Sequence, residues 1–211
     1  MSVRLHLIPV ALALAGMTVA DAGPIPRGMT LIPAGAYKPL IYSTGAPDTI
    51  AVPSFYLDVR PVTNAEFLTF VRAEPKWRRS KASTLFAEQG YLADWAGDLE
   101  LGPRAPADSP VVRVSWFAAT AYARWRGCRL PTTAEWERVA DAGFTSPTGA
   151  DEPAYRNATL EWLSEPVTAP LPAAGKGRPN FYGVRNLTDL VWEWVDDFNS
   201  ALVSEDPRSE S

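Results

Sequence analysis

The sequence predicts a loop-rich domain that mixes short strands with short, well-capped helices, and three observations lead there. Proline is abundant, with 20 in 211 residues and 14 glycines beside them, about twice the ~5% of an ordinary globular protein. Turns should therefore interrupt regular elements often. Helix-start signals recur wherever apolar residues adopt a helical period, and β-rich runs precede them. Eight tryptophans supply the large apolar surfaces that can hold such a fold together.

The best-defined stretch runs from Pro110 to Gly143. Val111, Val112 and Val114 read as a short buried strand. Ser115 then offers its hydroxyl to the free amides of a helix beginning at Trp116, whose Ala118, Tyr122 and Trp125 share one apolar face. Gly127 suits the left-handed backbone that closes this helix. Thr132 and Glu135 make a T-x-x-E capping box for a second helix, with Trp136, Val139 and Ala140 inward and Gly143 as its stop.

Upstream, Met29 to Tyr37 reads as a strand and turn, Lys38 to Ile50 as a loop, and Val52 to Val59 as a strand ended by Arg60-Pro61. Thr63 and Glu66 form another capping box, before a helix that buries Phe67, Phe70 and Val71. From Ala73 to Ser109 periodicity is lost. There the basic cluster Arg78, Arg79 and Lys81 reads as a solvated loop, and Tyr91 and Trp95 either line a groove or pin the loop to the core. Downstream, Thr145–Pro153 and Pro166–Asn180 read as surface connections, and the run Val191 to Trp194 as a strand with both tryptophans on one side of Glu193.

Residues 1–22 have the pattern of an export signal: Arg4, an apolar run from Leu5 to Ala20, and the A-x-A site Ala20-Asp21-Ala22. The alternative, a membrane anchor, fits less well with so short a run. The expected domain is 23–211, secreted or periplasmic, with no membrane contact after cleavage. A net charge of −4 gives no sign of a nucleic-acid partner. His6, the only histidine, lies in the signal, and Cys128 is the only cysteine. Residues 23–211 therefore hold no Ser-His-Asp triad, no Cys-His pair and no internal disulfide. Cys128 lies between Arg126 and Arg129, which favour a thiolate, though a packed, inert cysteine is the simpler reading. Two N-x-T sequons, at Asn157 and Asn186, are present.

These blocks also carry a resemblance. VSWFAATAYARW with RLPTTAEWE, PVTNAEFLTFV, and the closing PNFYGVRNLTDLVWEW are similar to the signature of the formylglycine-generating enzyme, or sulfatase-modifying factor, family. Departures are small: Thr133 stands where Glu is usual, and Asp189-Leu190 where Gly-Asn is usual. The resemblance implies an α+β, C-type-lectin-like fold whose closing C-terminal strands are not seen in residues 1–211. It implies calcium as a structural ion, held by the side chains of Asn186 and Glu193 and the carbonyls of Asp189 and Val191. Calcium is a hard cation that takes oxygens of these kinds.

Enzymes of that family oxidise a cysteine of a client sulfatase with molecular oxygen, using copper held by two cysteines. Residues 1–211 show no such pair, so copper is expected only if a missing C-terminal segment supplies it, and no catalytic residue is assigned. Two functions follow from the resemblance. One is an exported oxidase acting on a client protein or peptide. The other is a non-catalytic accessory module, for example for a periplasmic copper nitrite reductase, a branch to which Arg78–Leu99 is similar.

Overall fold

The structure is a computed structural model that describes residues 25–39, 48–87, 89–164 and 168–198. The export signal expected at 1–22 lies outside the described residues. The architecture is mixed helix and strand, in agreement with the α+β expectation. Among the described residues four short strands, β1 (Met29–Ile32), β2 (Gly35–Tyr37), β3 (Ile50–Val52) and β4 (Phe55–Asp58), precede four α-helices, α1 (Asn64–Ala73), α2 (Trp116–Trp125), α3 (Thr133–Ala140) and α4 (Pro153–Ser164), with a short 3-10 turn at Pro75–Trp77 after α1.

The strands pair as two separate antiparallel ribbons, β1 with β4 and β2 with β3. Thr30 faces Leu57 in the first, and Ala36 faces Ala51 in the second. Met29–Tyr37, read as a strand and turn, holds both β1 and β2, and β3 begins at Ile50, the end of the expected loop, so that only β4 lies wholly within the strand read at Val52–Val59. Pro33 separates β1 from β2 and Pro53 separates β3 from β4, and proline cannot donate to a ladder.

Helices α1 and α3 begin as their capping boxes predict. In each, the threonine accepts from the backbone of a glutamate three residues on, and that glutamate reaches back to the threonine amide. Ser115 caps α2 by accepting from the Ala118 amide, and Gly127 takes φ +75° just beyond it. The strand expected at Val111–Val114 is absent. Pro110 makes an isolated bridge to Thr63, the Val111 amide donates to the Val62 carbonyl, and Arg113 turns the chain away with φ +57°. The valines themselves belong to no ladder: Val111 donates once to Val62, and the Val114 carbonyl accepts from the Trp194 indole.

Two apolar clusters hold the helices. The larger joins Phe67, Phe70, Leu92, Trp95, Ala118 and Tyr122, and its rings meet edge-on or tilted, as aromatic rings prefer: Phe67–Phe70 at 5.2 Å and Phe70–Tyr122 at 5.6 Å. The smaller gathers Ile32, Val139, Val184 and Leu187. The long stretch after α1 is pinned to the core. Asn64, buried, donates to the carbonyls of Pro106 and Ser109 and accepts from Trp95 Nε1 at 2.9 Å. Tyr91 donates its hydroxyl to the Trp77 carbonyl, so Tyr91 and Trp95 serve packing. In the basic cluster, Arg79 donates to the Trp95 carbonyl.

Helix α4 was not expected from the sequence. It carries no buried residue and is tethered by Tyr155, which donates to the Ala140 carbonyl at 2.7 Å and meets the Phe144 ring edge-on at 5.3 Å. Among the described residues no helix is long and apolar enough to cross a membrane.

Candidate functional site

The corner between α2 and α3, the β4 strand and the run Val191–Trp194 line an open cavity of about 460 Å³. Its walls are largely apolar: Phe55 and Leu57 from β4, Tyr122 from α2, Leu130 from the link, and Leu187 and Trp194 from the last block. The capped helix ends fix this corner. Gly127 turns the chain out of α2, and five residues later Thr132 starts α3. The corner's charged side chains are thereby held in place.

Those charges are mostly paired. Arg126 grips Asp58 of β4 with two hydrogen bonds, of 2.5 and 3.0 Å, and its own pKa is raised by that carboxylate. Arg129 grips Glu135 with two bonds of 2.6 Å, while Glu135 also accepts from the Thr132 amide at 2.8 Å. Burial pushes the Glu135 carboxyl up, but the bonds from Arg129 and Thr132 outweigh it and the pKa ends below its ordinary value. Arg185, also on the cavity wall, donates to the Gly177 carbonyl.

Glu193 is the exception. Its carboxyl accepts one hydrogen bond, from Trp136 Nε1 at 3.1 Å, and no arginine or lysine pairs with it among the described residues. Burial and the nearby Asp58 charge push its pKa up to about 7, against the lowering effect of the Trp136 bond. A partly desolvated carboxyl without a cation beside it shifts toward its protonated form.

The other residues expected to hold calcium are split between two places. Val191 and Glu193 line the large cavity, whereas Asn186 and Asp189 line a smaller one of about 40 Å³ beside Tyr155 and Thr188. Asn186, with φ +58°, is a loop-shaping residue here. Its Oδ1 accepts from the Gly175 amide at 2.8 Å, and its Nδ2 donates to Asp189 Oδ1 at 3.0 Å. The structure therefore joins Asn186 to Asp189 and Glu193 to Trp136. Asn186 is only 8% exposed, which closes its sequon to glycan attachment in the folded state. Among the described residues no group of three or more His, Cys, Asp or Glu could hold a metal.

Cys128 is half-buried at the cavity wall, with Sγ 3.8 Å from the Arg126 carbonyl oxygen. The Trp136–Glu193 contact links two blocks 57 residues apart. Sequence reasoning marked both residues but gave no sign of their pairing. Arg126 and Asp58, which close the cavity's charged side, were missed as a site. No local sequence signal marks the pair, because Asp58 and Arg126 are 68 residues apart.

Comparison with known proteins agrees with this scaffold. The sulfatase-modifying factor enzyme 1-like domain matches residues 14–206. The chain is 31% identical over 221 residues to the bovine formylglycine-generating enzyme, covering 82% of this chain and 58% of that protein. It is 31% identical over 225 residues to the formylglycine-generating enzyme of Thermomonospora curvata, covering 84% and 73%. It is also 34% identical over 167 residues to hercynine oxygenase of Mycolicibacterium smegmatis, covering 69% and 38%. The chain thus spans less than two thirds of the length of the mycobacterial and bovine relatives. It belongs to the sulfatase-modifying factor family.

Proposed function

We propose that this chain carries the scaffold of an exported, oxygen-dependent oxidase that acts on a cysteine of a client protein. The observation behind this reading is the family match over residues 14–206, together with relatives named formylglycine-generating enzyme and hercynine oxygenase. Residues 1–22 would direct the chain to the periplasm or outside, and the protein recovered there should begin near Gly23.

Copper would supply oxygen activation in such a reaction. Residues 1–211 do not fit it alone: Cys128 is their single thiol, and a soft Cu(I) site is built from several soft ligands. No step is assigned to it. The contribution of this chain's own residues is positional. The Asp58–Arg126 and Glu135–Arg129 pairs fix the corner, and Glu193 lies half-buried on the wall of the largely apolar cavity.

Calcium is proposed as a structural ion at Glu193, with the carbonyls of Asp189 and Val191. Glu193 suits it, because a divalent cation would supply the positive partner this buried carboxyl lacks. Asn186 fits less well, since the Gly175 amide occupies its oxygen. Titration calorimetry tests the ion: micromolar-to-millimolar calcium binding, lost in Glu193→Gln, supports it, and no heat in the wild type removes it.

A second reading, a non-catalytic accessory module for a periplasmic copper nitrite reductase, is favoured by the stretch Arg78–Leu99. Incubating the full-length protein aerobically with copper and a CxPxR peptide separates the two. Aldehyde formation seen by mass spectrometry supports the oxidase, whereas fully intact peptide cysteine supports the accessory module.

A further inference from the structure

Helix α4 has 12 residues and buries none of them. A helix of that length has little stability of its own in water. Leu160 and Leu163, 64% and 57% exposed, lie three residues apart and share a face. Trp162, next to Leu163, meets the ring of the exposed Trp192 at 5.8 Å. Exposed apolar groups gathered in this way mark a surface that something covers. Asn157 stands three residues before Leu160 on the same side of the helix. It is exposed, no described residue bonds its side chain, and with Ala158 and Thr159 it makes the acceptor pattern N-x-T. The second such pattern is an internal contrast. Asn186 is buried, its Oδ1 accepts from the Gly175 amide, and its Nδ2 donates to Asp189.

We propose that Asn157 carries an N-linked oligosaccharide whose first sugars lie over Leu160. The donor is a lipid pyrophosphate-linked oligosaccharide. The Asn157 amide nitrogen bonds to C1 of its first sugar as the C1–O bond to phosphate breaks. The lipid pyrophosphate leaves, and the amide gives up one proton. On a closed helix, residues two apart do not face each other, and the Thr159 hydroxyl donates to the Tyr155 carbonyl. The Asn157 amide and the Thr159 hydroxyl therefore come together only when this turn is open. With no buried side chain to hold α4 closed, opening it costs little. Asn186 would first have to give up both of its bonds and its burial. Once attached, the sugars place their apolar ring faces on Leu160 and their hydroxyls in water. The inference rests on export of the chain, because the donor is used on the far side of the membrane.

Mass spectrometry of the full chain, recovered from the cell that makes it, tests this, using the amidase that releases N-linked glycans and leaves aspartate behind. The expected result is a glycan on the peptide containing Asn157, aspartate there after release, and an unmodified Asn186 in the same sample. Asn157→Gln loses the added mass, and Thr159→Ser, which preserves the acceptor pattern, retains it. Releasing the glycan from the folded protein raises binding of a hydrophobic dye, and Leu160→Gln abolishes that rise. A bare Asn157 in a chain whose N-terminus near Gly23 shows export overturns the glycan and leaves the export reading standing. A recovered chain that keeps residues 1–22 and a bare Asn157 overturns both. Attachment at Asn157 with dye binding unchanged on release overturns the covering of Leu160.

Discussion

Replacing Glu135 by alanine is the sharpest test of how the helix corner is held. The Glu135 side chain is 10% exposed and accepts three hydrogen bonds, two from Arg129 and one from the Thr132 amide. Hydrogen bonds to a charged group contribute about 1.5–3 kcal/mol, and loss of a helix cap costs about 1 kcal/mol. These overlap here, and the Arg129 side chain, 58% exposed, can turn to water when its partner is gone. The net loss should be about 2–3 kcal/mol, a fall in Tm of roughly 5–10 °C for a domain of this size. Glu66 is the internal control: the same box and a matching Arg60 pair, but 43% side-chain exposure. Glu66→Ala should cost about half as much, because exposed ion pairs are worth little. The assay is urea unfolding of both variants beside the wild type. An equal or smaller effect at Glu135 would refute the reasoning.

The same carboxyl gives a pH dependence whose sign is fixed. Its folded pKa is lowered, so its contribution is fully present above the ordinary glutamate value of about 4.3 and is lost as pH falls through the folded value. Below about pH 4.5 the wild type should lose stability more steeply than Glu135→Gln, read as Tm against pH. Trp95→Phe removes the donor to buried Asn64 Oδ1 and should cost about 1–3 kcal/mol in chemical denaturation, the penalty of an unsatisfied buried acceptor. At Gly35 an added Cβ would overlap the Arg138 guanidinium. Arg138 is 5% exposed and cannot move freely, so Gly35→Ala should destabilise by about 1–3 kcal/mol in the same assay.

Much of this fold was legible because its signals are local. A threonine and a glutamate three residues apart specify a helix start within one turn, and Thr63–Glu66 and Thr132–Glu135 form as written. Pairing is not local. Val111–Val114 have strand composition, but Arg113 turns away and Pro110 alone bridges Thr63, so composition overstated what the partner strand would allow. Helix α4 escaped notice because its apolar side chains are not buried, although Pro153 at its first position is a favoured start. The site divides the same way. Glu193 was marked by its motif, but its raised pKa comes from burial and from Asp58, and its one hydrogen bond from Trp136. Both arrive only when the chain folds. Asn186 was marked by the same motif, and the fold ties it to the Gly175 amide instead.

The capped corner and the Val191–Trp194 run line one cavity, and the hydrogen bond from Trp136 to Glu193 ties the two blocks together. The indole N–H resonance of Trp136 in a 15N-labelled protein tests this contact directly. Glu193→Gln should shift that resonance while leaving those of Trp116 and Trp194, which donate to the Val195 and Val114 carbonyls, close to their wild-type positions. An unmoved Trp136 signal beside shifted Trp116 and Trp194 signals would contradict the account.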